Sequence, residues 1–238
     1  MNKKKRIPLN PFVLTGYVSP DYFCDRQKET DKIISALLNG RNITLTSPRR
    51  MGKTGLIHHV FHNMQENNDV KCFYVDLYQT DSLELLVKKL ADTIPGFKVD
   101  VEPGQAEYSL SEIFAYMEQS DYRCFVAFDE FQTIAGYADK NVEALLRSYI
   151  QRLTNVNFIF SGSQRHVLEN MFVSASRPFY QSTQMYVHTL LNRLYETGYE
   201  TINKDTVDEI LSDILLENEG SFQTFLRLVT PIQTRMAC

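Results

Sequence analysis

The amino-acid sequence predicts an α/β protein in which a parallel β-sheet is flanked by helices and followed by a small helical domain. Short, nearly unbroken apolar runs alternate along the chain with segments whose apolar residues recur at helical spacing. Such runs are typical of strands in a parallel sheet, because helices cover both faces of that sheet. From about Tyr186 onward only the helical pattern remains, which indicates a change of domain.

The first elements flank one loop. Residues 21–40 carry apolar side chains at helical spacing and stop at Gly40, a residue type that commonly ends helices. Residues 43–46 alternate Ile and Leu with Thr, which predicts a strand. After a break, residues 55–65 return to the helical period.

The remaining elements repeat this alternation. The runs "KCFYVDLY", "RCFVAFDEF" and "VNFIFSGS" are apolar enough to be buried strands, and the segments between them have helical spacing. The segment "PGFKVDVEPGQ" is predicted to be a loop, and Asn203 is the expected N-cap of a helix in the last segment. The predicted strands are 71–78, 123–131 and 156–163, and the predicted helices are 81–94, 109–118 and 141–153.

Composition narrows the class of protein. The 238 residues carry a formal net charge of −4, which argues against a protein that coats nucleic acid over its whole surface. The basic start "MNKKKR" leads into "IPLNPF" rather than an apolar signal sequence, and no apolar stretch is long enough to span a membrane. The four cysteines form no C-x-x-C pair. We therefore expect a cytoplasmic protein with reduced thiols.

The loop after the first strand predicts a nucleotide site. In "ITLTSPRRMGKTGLI" (43–57) a strand passes into a helix through Gly-Lys-Thr, the layout of a phosphate-binding P-loop. Lys53 is expected to reach the β- and γ-phosphates and Thr54 to hold Mg²⁺, while Ser47 stands where the first Gly of the pattern is expected. An ordinary basic loop is the alternative. The candidate phosphate-binding residues are Ser47, Pro48, Arg49, Arg50, Met51, Gly52, Lys53, Thr54 and Gly55.

The third strand supplies the acidic partner. "CFVAFDEF" ends in adjacent carboxylates at the edge of the sheet where ligands of open α/β folds bind. Asp129 is expected to contact Mg²⁺, and Glu130 to orient or deprotonate the attacking water. A solvated strand end is the alternative. The fourth strand ends in the polar residues Ser161, Ser163, Gln164 and Arg165, which either include a group that senses the γ-phosphate or belong to an ordinary turn.

Taken together, these motifs resemble a known family: the prokaryotic P-loop ATPases of the AAA-like and STAND group, related to archaeal-type and origin-recognition ATPases. The resemblance covers about residues 10–185 and, more loosely, 186–230. It implies ATP rather than GTP, Mg²⁺, a helical lid and usually a C-terminal winged helix that binds DNA or a partner. It is carried by "NPF" (10–12), "YFCDRQKETDKI" (22–33), "SPRRMGKT" (47–54), "FVAFDEFQ" (125–132), "NFIFSGSQ" (157–164) and "RPFYQST" (177–183).

The sequence departs from the family pattern at several places. Asp25 replaces a Gly of the N-terminal motif, and "YQS" (180–182) stands where Tyr-Gly-Arg is common, so an arginine near the γ-phosphate is missing unless Arg165 or Arg177 substitutes. "STQM" runs directly into "YVHTLLNRLYE", which suggests that the fifth strand and first lid helices are absent and the lid incomplete. The expected organisation is a tail at 1–20, a P-loop nucleotide-binding domain at 21–185 and a truncated lid at 186–238.

The sequence as a whole predicts an ATP-binding protein, and an ATPase that uses hydrolysis to drive or time a conformational switch. A non-hydrolysing nucleotide-binding module and a truncated remnant remain as alternatives. Glu130 favours the enzyme, whereas the missing arginine near residue 182 favours the binder. The expected partner is a protein or a second copy of the chain. DNA binding is expected to be weak and salt-sensitive, because only the tail offers a run of cations.

The two arginines of the loop raise a separate question. Backbone amides and Lys53 are expected to supply the direct phosphate contacts, which places Arg49 and Arg50 at the outer bend of the loop. We expect at least one of them to pair with Asp25 or Glu29, and so to connect nucleotide binding to the N-terminal segment. The alternative is that both are solvated, where ion pairs contribute little.

Overall fold

The computed structural model describes residues 16–187 with the exception of 21–22, 24–25, 48–51, 66–68, 98–100 and 102–103. The chain divides into two units, Met1–Val187 and His188–Cys238, and the described residues all belong to the first. The predicted lid helices and the start of the predicted tail therefore lie outside the described residues. In the described part of the chain, no helix combines the length and apolar character that a membrane span requires.

Helices and strands alternate along the described chain as the sequence predicts. The strands are β1 (Ile43–Thr46), β2 (Val70–Asp76), β3 (Arg123–Asp129), β4 (Val156–Gly162) and β5 (Gln184–Val187). The helices are α1 (Gln27–Leu38), α2 (Lys53–Met64), α3 (Leu83–Asp92), α4 (Ala106–Glu118), α5 (Val142–Ile150) and α6 (Arg165–Val173), with a 3₁₀ helix at Phe131–Gly136.

The strands form one parallel sheet in the order β2-β3-β4-β1-β5. The register pairs Asp76 with Asp129 and Thr46 with Gly162, so these strands end at a common edge. Because every connection between neighbouring parallel strands must cross a face of the sheet, helices lie on both faces. The α/β fold class predicted from the sequence is confirmed.

The structure contains a fifth strand, contrary to the expectation from the sequence. It was predicted to be missing after "STQM", but β5 pairs with β1 in parallel, and Tyr186, where the helical pattern was expected to begin, lies within it. Gln184 N donates to Asn42 O over 2.8 Å, and the hydroxyls of Thr44 and Thr183 lie 2.7 Å apart. Because a segment with helical spacing continues directly from Tyr186, the apolar pattern does not separate this short strand from the residues that follow it.

Two further elements and several boundaries also differ from the sequence prediction, and two of these boundary shifts lie at the candidate site. Helix α6 and the 3₁₀ helix were not predicted, α2 begins at Lys53 rather than at residue 55, and β3 ends at Asp129 rather than at residue 131. Both boundary shifts occur beside left-handed backbone: Gly52 has φ +73° and Glu130 has φ +52°. A left-handed residue ends a strand or precedes a helix, and an apolar pattern does not reveal it when the residue is not glycine.

Alternate side chains of the strands enter two hydrophobic cores. Val126 and Phe128 of β3 face a core built with α3, α4, α5 and α6. Phe125 and Ala127 of the same strand face a second core built with α1 and α2. Helix α2, which follows the loop after β1, is held against the sheet by its buried residues Leu56, Ile57, Val60, Phe61 and Met64.

The larger core contains a cluster of aromatic rings next to the edge of the sheet at which the carboxyl ends of the strands lie. Phe160 on β4 is fully buried and lies within it. Its ring centroid is 4.6 to 6.2 Å from those of Phe128, Phe131, Phe158, Phe172 and Phe179.

Replacing Phe160 by Ala tests this packing. We expect Phe160→Ala to lower the free energy of unfolding by about 3 to 5 kcal/mol, because it removes a buried ring and leaves a cavity. Urea unfolding followed by circular dichroism measures the change. Tyr108→Ala, at a residue 63% exposed, is the matched control. A loss of less than about 1 kcal/mol for Phe160→Ala would contradict the packing described.

Candidate active site

The carboxyl ends of neighbouring strands bring the candidate residues to one edge of the sheet. Ser47 follows β1, Asp129 ends β3 and Ser161 lies near the end of β4, the strand between them. In open α/β sheets, ligands bind outside the carboxyl ends of the strands. The sequence-predicted carboxylate, loop and serine are therefore positioned by the sheet itself.

The two described ends of the loop are joined by a buried lysine. Lys53, the first residue of α2, is 8% exposed, and its Nζ donates to Ser47 O over 2.8 Å. This contact fastens the far end of the loop to its start. Gly55 lies one turn into α2, next to the ring of Phe23. Pro48, Arg49, Arg50 and Met51 lie outside the described residues, and their predicted roles stay predictions.

Ser47, which stands where the P-loop pattern has its first Gly, does not need a positive φ. In the described ranges, non-glycine residues with positive φ are Gln79, Glu130 and Gln181, so Ser47 has an ordinary negative φ. Ser47 is also buried, at 1% exposed. A serine is therefore compatible with the backbone conformation at position 47.

Arg26 connects the N-terminal segment to the loop. Its Nη1 donates to Gly52 O over 3.0 Å, and its Nε and Nη2 pair with the carboxylate of Glu29. An ideal Cβ on Gly52 would lie 3.3 Å from Arg26 Nη1, and Gly52 has φ +73°. Both the backbone conformation and the close guanidinium favour glycine at this position.

The Arg26 contact bears on the predicted pairing of the loop arginines. Glu29, one of the two carboxylates expected to pair with Arg49 or Arg50, is engaged by Arg26. Asp25, the other, lies outside the described residues with both arginines. Arg26 thus connects the N-terminal segment to Gly52, and the predicted pairing of Arg49 or Arg50 with a carboxylate stays a prediction.

Asp129 is the most constrained carboxylate at this edge. The residue is 4% exposed, and its Oδ2 accepts hydrogen bonds from Thr54 Oγ1 at 2.7 Å and from Tyr74 OH at 2.6 Å. Its Oδ1 accepts from the backbone N–H of Glu130 at 3.0 Å. The predicted metal ligands Thr54 and Asp129 are thus in direct contact.

Tyr74 and His58 shape the electrostatics around Asp129. Burial raises the pKa of Tyr74 well above its usual range, and the Asp129 carboxylate raises it further, so the phenol stays protonated as a donor. The His58 ring lies 4.4 Å from the Tyr74 ring. Burial lowers the pKa of His58 from its ordinary value of 6.5, and the Asp129 carboxylate acts in the opposite direction. Burial thus favours the neutral form of the His58 ring.

Glu130 follows Asp129 in left-handed backbone, with φ +52° and ψ +39°. Its Oε2 accepts hydrogen bonds from Gln132 Nε2 and, at 3.1 Å, from Ser163 Oγ. Glu130 is half-buried, and its carboxylate is oriented by these donors rather than solvated at random. The interpretation of the Asp-Glu pair as a simple solvated strand end does not fit these contacts.

The end of β4 contains a polar atom that the described structure does not satisfy. Ser161 is fully buried, and among the described residues its Oγ has no hydrogen-bond partner. Buried hydroxyls are seldom left in this state without a ligand or water. This orphaned hydroxyl, on the same sheet face as Asp129, fits a site that receives a polar ligand.

The arginines considered as substitutes for the missing family arginine are engaged elsewhere. Arg165 Nε donates to Glu169 Oε1 over 2.7 Å on the exposed face of α6. Arg177 pairs with Glu143 of α5. Gln181, at the position where the family resemblance implies Gly, has φ +51°, so the chain keeps a left-handed bend there without glycine.

The described oxygen atoms suit Mg²⁺. Carboxylate and hydroxyl oxygens are the hard ligands that Mg²⁺ prefers, and Thr54 Oγ1 and Asp129 Oδ2 meet at the mouth of the loop. Within the described residues there is no group of three or more His, Cys, Asp and Glu that could hold a metal. A divalent ion here therefore needs further ligands from water and substrate phosphates, as Mg²⁺ usually does.

The charged residues that the structure brings together at this edge are among those expected from the sequence, but several residues that contact them are not. Tyr74, Gln132 and the role of Arg26 were not predicted. Tyr74 lies inside an apolar strand, where a tyrosine is ordinarily a core residue. One feature of the sequence could have indicated that Tyr74 belongs to the site: it lies two residues before the end of β2, the strand beside β3.

Solved structures with the same fold include a Walker-type ATPase and two ORC proteins. A Walker-type ATPase of Pyrococcus abyssi has a TM-score of 0.59 and 20% identity, over 85% of this chain and 67% of that one. The ORC2 protein of Aeropyrum pernix, solved as ADPNP-ADP complexes, has a TM-score of 0.57 and 18% identity, over 76% and 52%. The ORC1 protein of that organism, in complex with DNA, has a TM-score of 0.58 and 16% identity, over 83% and 58%.

The TM-scores of 0.57 to 0.59 show a shared fold, and at these identities the likeness shows the fold alone. The chain spans about half to two thirds of the length of these neighbours. No curated protein sequence matches it. Residues 23–215 match the family described as an ATPase domain predominantly from Archaea, and this range includes the loop, Asp129, Glu130 and the Arg26 contact. The chain therefore belongs to this family of P-loop ATPase domains.

Proposed function

We propose that this protein binds ATP together with Mg²⁺ and hydrolyses it to ADP and phosphate, and that the cycle drives or times a conformational switch. Membership in an ATPase domain family supports nucleotide binding and makes hydrolysis the first activity to test. The observation that carries the proposal is the contact of Thr54 with the buried Asp129, with Glu130 held beside it.

The residues divide the work of phosphoryl transfer. The amide groups at the start of α2 and the Lys53 ammonium would bind the β- and γ-phosphates. Thr54 and Asp129 would hold Mg²⁺, which when bound offsets the negative charge of the phosphates. Glu130 would orient the attacking water and accept its proton, and the Ser161 hydroxyl would donate to a γ-phosphate oxygen.

One observation favours a second candidate, a nucleotide-binding module that does not hydrolyse. Arg165 and Arg177 are paired with Glu169 and Glu143, so both guanidinium groups are engaged by carboxylates of the described helices. An arginine that contacts the γ-phosphate often contributes much of the rate in phosphoryl transfer. In this second case the bound nucleotide would set the conformation presented to a protein partner or a second copy.

Lys53→Ala tests the phosphate site. We expect ATP binding to be abolished at millimolar concentration, because the variant loses the main point charge opposite the phosphates and the contact to Ser47 O. Isothermal titration calorimetry measures the affinity, with the exposed Lys32→Ala as control. Affinity within a few-fold of wild type would refute the assignment of Lys53.

Glu130→Gln separates binding from hydrolysis. We expect ATP affinity to be retained and phosphate release to fall by roughly 100-fold or more, because an amide cannot accept the proton of the attacking water. Steady-state phosphate release measures this, with Glu107→Gln on the exposed side of α4 as control. Unchanged turnover in Glu130→Gln would remove Glu130 from the mechanism.

Arg26→Lys tests the link between the N-terminal segment and the loop. Lysine keeps the charge but cannot bond Gly52 O and Glu29 together as the guanidinium does. We expect ATP affinity to fall by roughly 5- to 30-fold, the equivalent of one or two lost hydrogen bonds. The control is Arg152→Lys, at an exposed residue. Equal affinities for both variants would show that the link does not support binding.

A further inference from the structure

We propose that Gln132 and Ser163 are positioning residues of the hydrolysis reaction, which hold one oxygen of the Glu130 carboxylate so that the other accepts the proton of the attacking water. This inference rests on the proposed function. It concerns the two side chains that donate hydrogen bonds to Glu130 Oε2, Gln132 through Nε2 and Ser163 through Oγ at 3.1 Å.

The backbone of Glu130 is fixed on both sides. Its N–H donates to Asp129 Oδ1 over 3.0 Å, and its carbonyl accepts from Thr133 N over 2.9 Å at the start of the 3₁₀ helix. Its left-handed φ of +52° is uncommon for a residue with a side chain, and such residues persist where surrounding contacts impose them. The two donors then restrict the side chain as well.

The side chain of Gln132 occupies a space left by a glycine of β4. The residue is 6% exposed, and an ideal Cβ on Gly162 would lie 1.9 Å from Gln132 Oε1 and 2.9 Å from Leu168 Cδ1. Only glycine at position 162 leaves room for the amide. The Gln132 side chain therefore occupies the space of the missing side chain on β4, with its Nε2 directed at Glu130.

The other end of the Gln132 amide shows that this placement is unfavourable for stability alone. In the part of the chain that the structure describes, its Oε1 is buried and has no hydrogen-bond partner. An unsatisfied buried acceptor destabilises a fold, and an apolar side chain of similar shape would avoid the loss. The hydrogen bond that orients Glu130 is the reason that we give for an amide, rather than an apolar side chain, at position 132.

The convergence of both donors on one oxygen determines which oxygen can act as base. Among the described residues, no donor to Glu130 Oε1 accompanies those on Oε2. In the proposed step the water oxygen forms a bond to the γ-phosphorus and its proton moves to Oε1. The bond from the γ-phosphorus to the β,γ-bridging oxygen breaks, and its electron pair leaves with ADP.

The test is a kinetic comparison of Gln132→Leu and Ser163→Ala in the full chain with MgATP. We expect kcat for phosphate release to fall by roughly 10-fold or more in each, with KM for ATP within about 3-fold of wild type, because the interaction acts on the base rather than on binding. Gln119→Leu and Ser176→Ala, at exposed residues, are the matched controls. Ser163→Ala, a small change at a half-buried residue, keeps the test valid if Gln132→Leu does not fold.

A double-mutant comparison separates positioning from a purely structural role. If Gln132 acts through Glu130, then Gln132→Leu added to Glu130→Gln causes no further loss of the residual turnover. An additional loss equal to that seen in the wild-type background would overturn the inference.

The outcomes also distinguish this inference from the function on which it rests. Turnover that is lost in Glu130→Gln but unchanged in Gln132→Leu and Ser163→Ala overturns the positioning role alone. A wild-type chain that binds ATP and releases no phosphate overturns the proposed hydrolysis and the positioning role with it.

Discussion

The carboxylate of Asp129 lies at the end of β3 with 4% of the residue exposed, and a charge in that position must be compensated by donors. Thr54 of α2, Tyr74 of β2 and the backbone N–H of Glu130 provide them. These donors come from the helix after the loop, from the neighbouring strand and from the turn after β3. Compensation of one buried charge thus fixes the relative positions of the elements that form the site.

Two left-handed residues set the shape of the chain around that carboxylate. Gly52 turns the loop into α2 and presents its carbonyl to Arg26, while Glu130 turns β3 into the 3₁₀ helix. The first position is free of side-chain strain because it is glycine, whereas the second carries a carboxylate and is held by hydrogen bonds. The left-handed backbone of Glu130 places its side chain next to Gln132 and Ser163. The glycine at position 162 leaves the space in which the Gln132 amide reaches Glu130.

The sequence predicted the sheet and the charged residues because their signals are local. Buried parallel strands are apolar throughout, and β1 was predicted with the bounds that the structure has. Contacts such as Tyr74 with Asp129 depend on register between strands far apart in sequence, which no local pattern specifies. Strand β5 was not predicted because it runs directly into a segment with helical spacing. The role of Gln132 was not predicted because it depends on a space beside Gly162. The roles assigned to the loop residues 48–51 remain predictions.

The central claim is that Thr54 and Asp129 form, with the loop, a site for ATP and Mg²⁺. The most direct measurement is a calorimetric titration of the wild-type chain with ATP in the presence of Mg²⁺ and again in EDTA. The account predicts one ATP bound per chain, with an affinity at least about 10-fold weaker in EDTA, since Mg²⁺ is held jointly by protein oxygens and phosphates. Absence of binding with Mg²⁺, or equal affinity in both conditions, would contradict it.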